Sequence, residues 1–454
     1  MPEPMLPVER RAGPRIAESL FVAAIATSSL VSVRLATAVT VTDGLLLACG
    51  VLAVLRLLAT GTLGASARRI PMPVSWAACV GLVMLGGFLS SIRAVDPPAS
   101  ISITLRLLVV TGLFPLLAWM LLRQEGDLVK AAAALAIAGA IQGLAATLQL
   151  GGLESTLFGS PQFGRYTGFA GHPNDLGAAL AITLPMSLVS LFLFAKRRFA
   201  FVLLGLGFPL TLAGLRLSGS LSAFAGALAG VVVTLVALRK VDRVSRRWVW
   251  YGGGLAALIL VLVVRYGATL EAGGGFADIK DPRTRLSEVV GGRGTLSTRF
   301  RTIKSALEDI AENPLVGRGF DRESTDVFRG RQVHSMPILA WHAGGLLVLT
   351  GLFGVIFLSL RIVRPGRAGT TSWRLKVIRA GLLGSTCAMI VNGLAQPFLY
   401  KRFGWIPVAL IFSRPILQRV TSSMSGKPPG PPGEPDPEVV PDRPYAMNGR
   451  SGSG

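Results

Sequence analysis

Residues 335–361 read SMPILAWHAGGLLVLTGLFGVIFLSLR. His342 is the one ionisable residue in this run before Arg361 closes it. About 20 apolar residues in a helix cross the hydrocarbon core of a bilayer. No water is present there to pair with backbone amides and carbonyls, so a helix, which satisfies its own, is the expected form. The stretch therefore predicts a membrane-spanning helix. Its polar flank, Gln332-Val333-His334-Ser335, predicts the point where the chain enters the membrane.

Outward from this run the pattern repeats. Apolar runs fall near 17–37, 42–60, 72–92, 102–122, 129–150, 173–195, 199–215, 218–238, 248–265, 376–396 and 404–418. Together with the first they make about 12 spans. The chain is 51% hydrophobic with a mean hydropathy of +0.57, an average that soluble folds rarely reach. The short alternating segments of a membrane barrel are not seen. The expected class is all-α: a polytopic membrane protein with a large extracytoplasmic loop that contains short helices. No internal repeat points to the inverted halves of a transporter.

The formal net charge is +22. The basic residues cluster at the ends of apolar runs, which is the pattern of positive-inside anchoring and anionic-lipid contact; no nucleic-acid partner is expected. Arg68-Arg69, Arg123 with Lys130, Lys196-Arg197-Arg198, and Arg239-Lys240 with Arg243, Arg246 and Arg247 fall on one side, and the group from Arg361 to Arg379 joins them. The opposite short loops hold far fewer, chiefly Arg93, Arg165, Arg216, Lys401 and Arg402. This alternation predicts that both termini are cytoplasmic and that residues 267–334 face outward. The expected organisation is a cytoplasmic N-terminus (1–15), a membrane domain (16–420) that includes the loop 267–334, and a disordered cytoplasmic tail (421–454) rich in Pro, Gly and Ser. Leu35-Ala36-Thr37-Ala38 has the small residues of a signal-peptidase site. Arg34 breaks that run and another span follows at once, so the first span is expected to remain uncleaved. Cys49, Cys79 and Cys387 lie inside apolar runs without CxxC or His/Cys spacing, and predict neither a disulfide framework nor a metal site.

The loop 267–334 carries 11 Lys/Arg and 10 Asp/Glu. It is close to neutral, so most of it reads as a solvated lid. Four motifs on the outward side can carry chemistry. The first is Gly164-Arg165-Tyr166-Thr167-Gly168-Phe169, followed by Gly171-His172-Pro173-Asn174-Asp175. Gly and Pro set a turn, and Asn174 or Asp175 can cap the helix that follows. In the functional reading, Arg165, His172 and Asn174 bind an anionic head group at a helix start. The second is Leu217-Ser218-Gly219-Ser220-Leu221-Ser222. It is either close helix packing or a polar turn beside Arg216, a cation suited to phosphate.

The third motif, residues 298–311, reads as an amphipathic helix with Phe300, Ile303, Leu307 and Ile310 on one stripe. Arg299 flanks that stripe and is the semi-buried candidate, whereas Arg301 points to solvent. After Asn313 comes Pro314-Leu315-Val316-Gly317-Arg318-Gly319-Phe320, a glycine-permitted turn in which Arg318 is a further candidate. The fourth is His334-Ser335, where an imidazole at the membrane junction can act as a base or hydrogen-bond donor. His342 lies about two turns deeper and roughly 80° round the helix.

In this order the motifs resemble the O-antigen ligase and polymerase superfamily of bacterial envelope proteins. The resemblance covers about residues 15–418 and is best over 160–360. It implies a metal-independent glycosyltransferase of the bacterial cytoplasmic (inner) membrane, without a cofactor, acting on the outer side. The implied donor is a glycan on polyprenyl (undecaprenyl) diphosphate. The implied acceptor is a hydroxyl on lipid A core, for a ligase, or on another lipid-linked glycan, for a polymerase. A diphosphate leaving group needs fixed cations, for which Arg165, Arg216 and Arg299 are candidates, with His172, Asn174 and Arg318 as further substrate contacts. His334 is the candidate that orients or deprotonates the acceptor hydroxyl, and with Arg299 forms the expected catalytic pair. Apolar grooves between spans would hold the polyprenyl chain. Membrane lipids and a polysaccharide export complex complete the expected partners. Two positions depart from the family pattern: Leu221 stands where Arg is frequent, and Ser335 where Asn is common. The alternative is a polytopic transporter or flippase of a lipid-linked or anionic substrate, which requires charged residues on a path at mid-membrane. A non-catalytic partner in an export assembly is a third reading.

Overall fold

The computed structural model describes residues 13–36, 39–59, 72–153, 157–162, 164–241, 253–254, 295–328, 331–364 and 372–418. Almost all of the span expected near 248–265, the loop up to residue 294, the tail from 421 and most of the N-terminal segment lie outside them. The described helices are α1 (Gly13–Ala26), α2 (Val41–Ala59), α3 (Val74–Ser91), α4 (Pro97–Leu121), α5 (Glu125–Leu150), α6 (Pro173–Phe194), α7 (Arg198–Ser218), α8 (Leu221–Leu238), α9 (Thr295–Glu312), α10 (Met336–Val363), α11 (Trp373–Gly393) and α12 (Arg402–Ile411). Two antiparallel hairpins join them: β1 (Arg34–Ala36) with β2 (Val39–Thr40), and β3 (Asp326–Phe328) with β4 (Arg331–Gln332). Among the described residues, α3 to α8, α10 and α11 are the 8 helices long and apolar enough to cross a membrane. The chain is thus a mostly helical, multi-pass membrane protein.

At the centre lies α6, packed by α5, α7, α8 and α11. Small residues allow the close approaches that helix association in lipid depends on. A Cβ at Gly143 of α5 would fall 2.0 Å from the Leu210 carbonyl of α7, and one at Gly230 of α8 would fall 2.8 Å from the Gly384 carbonyl of α11. Outward faces keep large apolar side chains exposed, such as Phe199, Leu203 and Leu206 on α7, as a lipid-facing surface requires.

Two expected spans end early. Near 17–37, α1 stops at Ala26. The Thr27 hydroxyl turns back to the Ala23 carbonyl at 3.0 Å, and the chain beyond is tied to the segment ahead of α6. Gln142 Nε2 donates to the Ser29 carbonyl at 2.5 Å, and the Ser32 amide donates to the Phe169 carbonyl at 2.8 Å. Near 404–418, α12 has 10 residues and is interrupted by a turn at Phe412-Ser413, after which a short helical stretch resumes over 414–418. Up to that turn α12 is about 15 Å long, half a membrane crossing. Its side chains from Phe403 to Ile411 are all buried, so its apolar character reflects a protein core.

The opening stretch, α10, is broken. Gly345 has φ 72° and ψ −174°, a conformation open essentially to glycine alone. Breaking a helix frees backbone groups that must find partners inside the membrane domain. The turn 314–319 supplies them. The Arg318 and Gly319 amides donate to the His342 and Ala343 carbonyls at 3.0 and 2.9 Å. The Leu346 amide donates to the Pro314 and Leu315 carbonyls, both at 3.2 Å. A Cβ at Gly317 would lie 2.1 Å from the Ala343 carbonyl, so only glycine permits this docking.

Candidate functional site

The segment ahead of α6 is held from below by two glutamines of α5. Gln149 Oε1 accepts from the Thr167 and Gly168 amides at 3.1 and 2.8 Å, and its Nε2 donates to the Gly159 carbonyl at 2.7 Å. Gln142 Oε1 accepts from the Phe169 amide at 3.1 Å. So pinned, Arg165 is buried at 5% exposure. Its Nε donates to the Ser218 carbonyl at 2.6 Å and its Nη2 to Asn174 Oδ1 at 2.5 Å. Arg165 therefore joins the first motif to the second. Gly219, at φ 55°, caps α7, and a Cβ there would meet Arg165 Nε at 3.2 Å. The cap of α6 is neither Asn174 nor Asp175 but His172, whose Nδ1 accepts from the Asn174 amide at 3.1 Å. Asn174 is left to hold Arg165. Asp175 is ion-paired with Lys401, which precedes α12. Arg216 is buried in the last turn of α7, where a cation also meets the unpaired carbonyl end of the helix.

Across from this wall, α9 carries Arg299 half-buried, with Nη1 donating to the Ala395 carbonyl at 3.4 Å, while Arg301 is exposed. The expected stripe of α9 is corrected. Thr302, Ala306 and Ile310 are buried and Ile303 packs on the core, whereas Phe300 and Leu307 are 63% and 45% exposed. The hairpin β3–β4 is tied to α9 by Ser305 Oγ donating to the Val327 carbonyl at 3.0 Å, and it presents Arg331. His334 follows. Burial, then the charges of Arg299, His172 and Arg331, push its pKa down to about 4. Its imidazole is thus neutral at pH 7, and among the described residues its buried Nδ1 has no hydrogen-bond partner. His172 is likewise lowered by burial, with Asp175 opposing and Lys401 and Arg165 assisting.

The connector from α11 to α12 forms the floor. Gln396 Nε2 donates to Ser222 Oγ at 3.1 Å, and Ser222 Oγ lies 3.2 Å from Ser220 Oγ. One turn inward, Asn392 is fully buried, and among the described residues neither its Oδ1 nor its Nδ2 has a partner. Arg165, His172, Asn174, Arg299 and His334, scattered over 170 positions, thus gather at one end of the helix bundle. Arg318 does not join them. It pairs with Asp309 at 2.7 Å and Glu312 at 3.6 Å, and Asp309 also meets His342 Nε2 at 3.0 Å.

Sequence reading missed Lys401, Arg331, Asn392 and the two glutamines. Gln142 and Gln149 had a legible signal: two amides seven residues apart on one face of an apolar run. Lys401 and Arg331 had none, because each acts across an approach that only the folded chain creates. No protein-family model matches this chain and no curated protein matches it, so the reading of the site rests on its residues and their geometry.

Proposed function

We propose that this chain is an envelope glycosyltransferase of the O-antigen ligase or polymerase type. It moves a glycan from polyprenyl diphosphate to an acceptor hydroxyl on the outer side of the bacterial cytoplasmic membrane, with both termini cytoplasmic. The observation that carries this reading is one juxtaposition. A cluster of cations around Arg299 and His334 lies next in the chain to one end of an apolar groove of about 280 Å³ that runs between α10 and α11. The groove begins at Met336 and Leu394, beside His334 and the Ala395 carbonyl that Arg299 holds, and continues past Leu352 and Ile356 to Leu360. Past the break at Gly345, Leu346 to Leu360 alone is about 21 Å of helix, enough to follow a lipid tail through much of the hydrocarbon core.

In this reading the diphosphate lies by Arg299 and Arg331, with Arg165 and Lys401 on the far wall. As the bond from the anomeric carbon to the phosphate oxygen breaks, negative charge grows on the diphosphate and is met by fixed guanidinium donors. The acceptor oxygen forms the new bond to that carbon, and its proton passes to the neutral His334. A bound diphosphate offsets the cations that hold His334 down, and so raises its proton affinity as the proton arrives.

Replacing His334 or Arg299 by Ala, at normal protein levels, should abolish or shorten the glycan product. Unchanged chain length and attachment would overturn the assignment. The flippase reading is favoured by one observation, the cation Arg106 inside α4. It expects lipid-linked glycan to accumulate on the inner leaflet of the same variants, with transfer activity intact in detergent.

A further inference from the structure

The cations around His334 lie in loops, a hairpin and near helix ends. Arg106 does not. It is nine residues into α4, about 14 Å along the axis from Pro97. Ile101, Leu105 and Leu108 form the exposed apolar face of this helix. Arg106 lies about 130° round from them, and Ser102, one turn before it, shares its side. Both are exposed. Among the described residues, no carboxylate pairs with Arg106. An arginine at that depth is costly unless an anion or water meets it, and it cannot discard its charge.

Three features aim this cation. Helical side chains lean toward the helix N-terminus, here the Pro97 end. That end faces the side of the cation cluster, because the Phe320 amide donates to Ser100 Oγ at 2.8 Å and Arg93 donates to Asn313 Oδ1 at 2.9 Å. One turn beyond Arg106, α4 widens into a π segment, Val109–Leu113, against which α12 packs. This brings the α11–α12 connector alongside α4. There the half-buried Tyr400 feels the charges of both Arg106 and Asp175. Tyr400 therefore lies within electrostatic reach of both Arg106 and Asp175, the carboxylate paired with Lys401.

We propose that Arg106, with the hydroxyls of Ser102 and Tyr400, forms a second phosphate site, one that takes the head group of an anionic lipid from the side of α4. A planar fork of donors flanked by hydroxyls suits phosphate oxygens. On the function proposed above, and resting on it, the occupant is the phosphate of the lipid-linked acceptor, while Arg299 and His334 handle the donor.

The test uses the full chain in detergent, with farnesyl diphosphate, phosphatidylglycerol and inorganic pyrophosphate as probes and lipid occupancy by native mass spectrometry as the readout. Arg106→Gln should lose at least about ten-fold in affinity for the lipid probes, Arg106→Lys much less, and the loss should persist in an Arg299→Gln background. Pyrophosphate alone should bind weakly. Equal, Arg106-dependent binding of pyrophosphate would make the site one for a free anion and overturn the lipid assignment. Should Arg106→Gln fail to fold, Ser102→Ala with Arg106→Lys replaces it, and wild-type affinity in that pair overturns the site. Normal glycan products from Arg299→Ala would remove the acceptor assignment and leave the phosphate site standing on its binding data.

Discussion

Two clusters on the same end of the bundle use similar residues to opposite ends. Around Asp309, charges are answered. Arg318 pairs with Asp309 and Glu312, His342 meets Asp309, and the Trp341 indole donates to the Pro314 carbonyl at 2.9 Å. This cluster clamps the turn 314–319 into the break in α10. Around His334, cations outnumber acids. Arg165, Arg299, Arg331 and Lys401 converge, and among the described residues Asp175 is the one carboxylate whose charge acts on the two histidines there. A balanced cluster is complete without a ligand. An unbalanced one raises the energy of the resting protein and lowers it when an anion arrives. The comparison therefore separates a brace from a candidate binding site more firmly than residue type does.

The comparison can be broken by mutation, beginning with the largest effect. Arg299→Ala should reduce glycan transfer by about 10²- to 10³-fold while leaving the melting temperature of the detergent-solubilised protein close to wild type. Equal losses in activity and stability would make Arg299 a brace like Asp309. Gly345→Ala should do the reverse. It forces a side chain onto a glycine-only conformation, with a Cβ 2.2 Å from the Leu315 carbonyl, and should cost about 1–3 kcal/mol or more in a denaturation titration. Asp309→Ala should cost about 1–3 kcal/mol, because it leaves the buried His342 without its carboxylate and Arg318 with only the longer contact to Glu312. Specific activity per folded molecule should hold; a collapse of that activity would move the clamp into the active site.

A smaller effect sharpens the unbalanced side. His334 has a folded pKa of about 4 against 6.5 for the free group. Between these values the unfolded chain binds the extra proton. The contribution of neutral His334 to stability is therefore complete above pH 6.5 and falls as the pH drops toward 4. Thermal melts of the wild type should decline over that window more steeply than those of His334→Gln. The smallest change is expected for Asn392→Leu. Removing a buried amide with no partner should leave stability level or raise it by about 1 kcal/mol, which a thermal melt reads directly. A clear loss would mean that Asn392 is paired in the membrane.

Much of the membrane domain was legible because apolar length is a local property. Runs near 72–92, 129–150 and 173–195 became α3, α5 and α6 with shifts of a few residues. Where local polarity misled, the cause was tertiary. The run at 404–418 is apolar because α12 is core, and α1 ends at Ala26 because serines and Gln142 draw the following chain toward the loop ahead of α6. In α9 the helix itself was legible, but its buried side was not. Small residues, Thr302 and Ala306, allow the close contact, so the bulky Phe300 and Leu307 stay outside.

By itself the sequence determined the class, most of the spans and the residue types worth following, since hydropathy and helix periodicity need no knowledge of neighbours. Only the tertiary structure decided which of those residues belong together. It drew Arg165 onto Asn174 and the Ser218 carbonyl, set Arg299 and Arg331 beside His334, and took Arg318 away to Asp309. It also broke the opening stretch at Gly345. Each of these depends on partners far away in the chain, and the freed carbonyls of α10 can be satisfied only by a turn that has folded back to meet them.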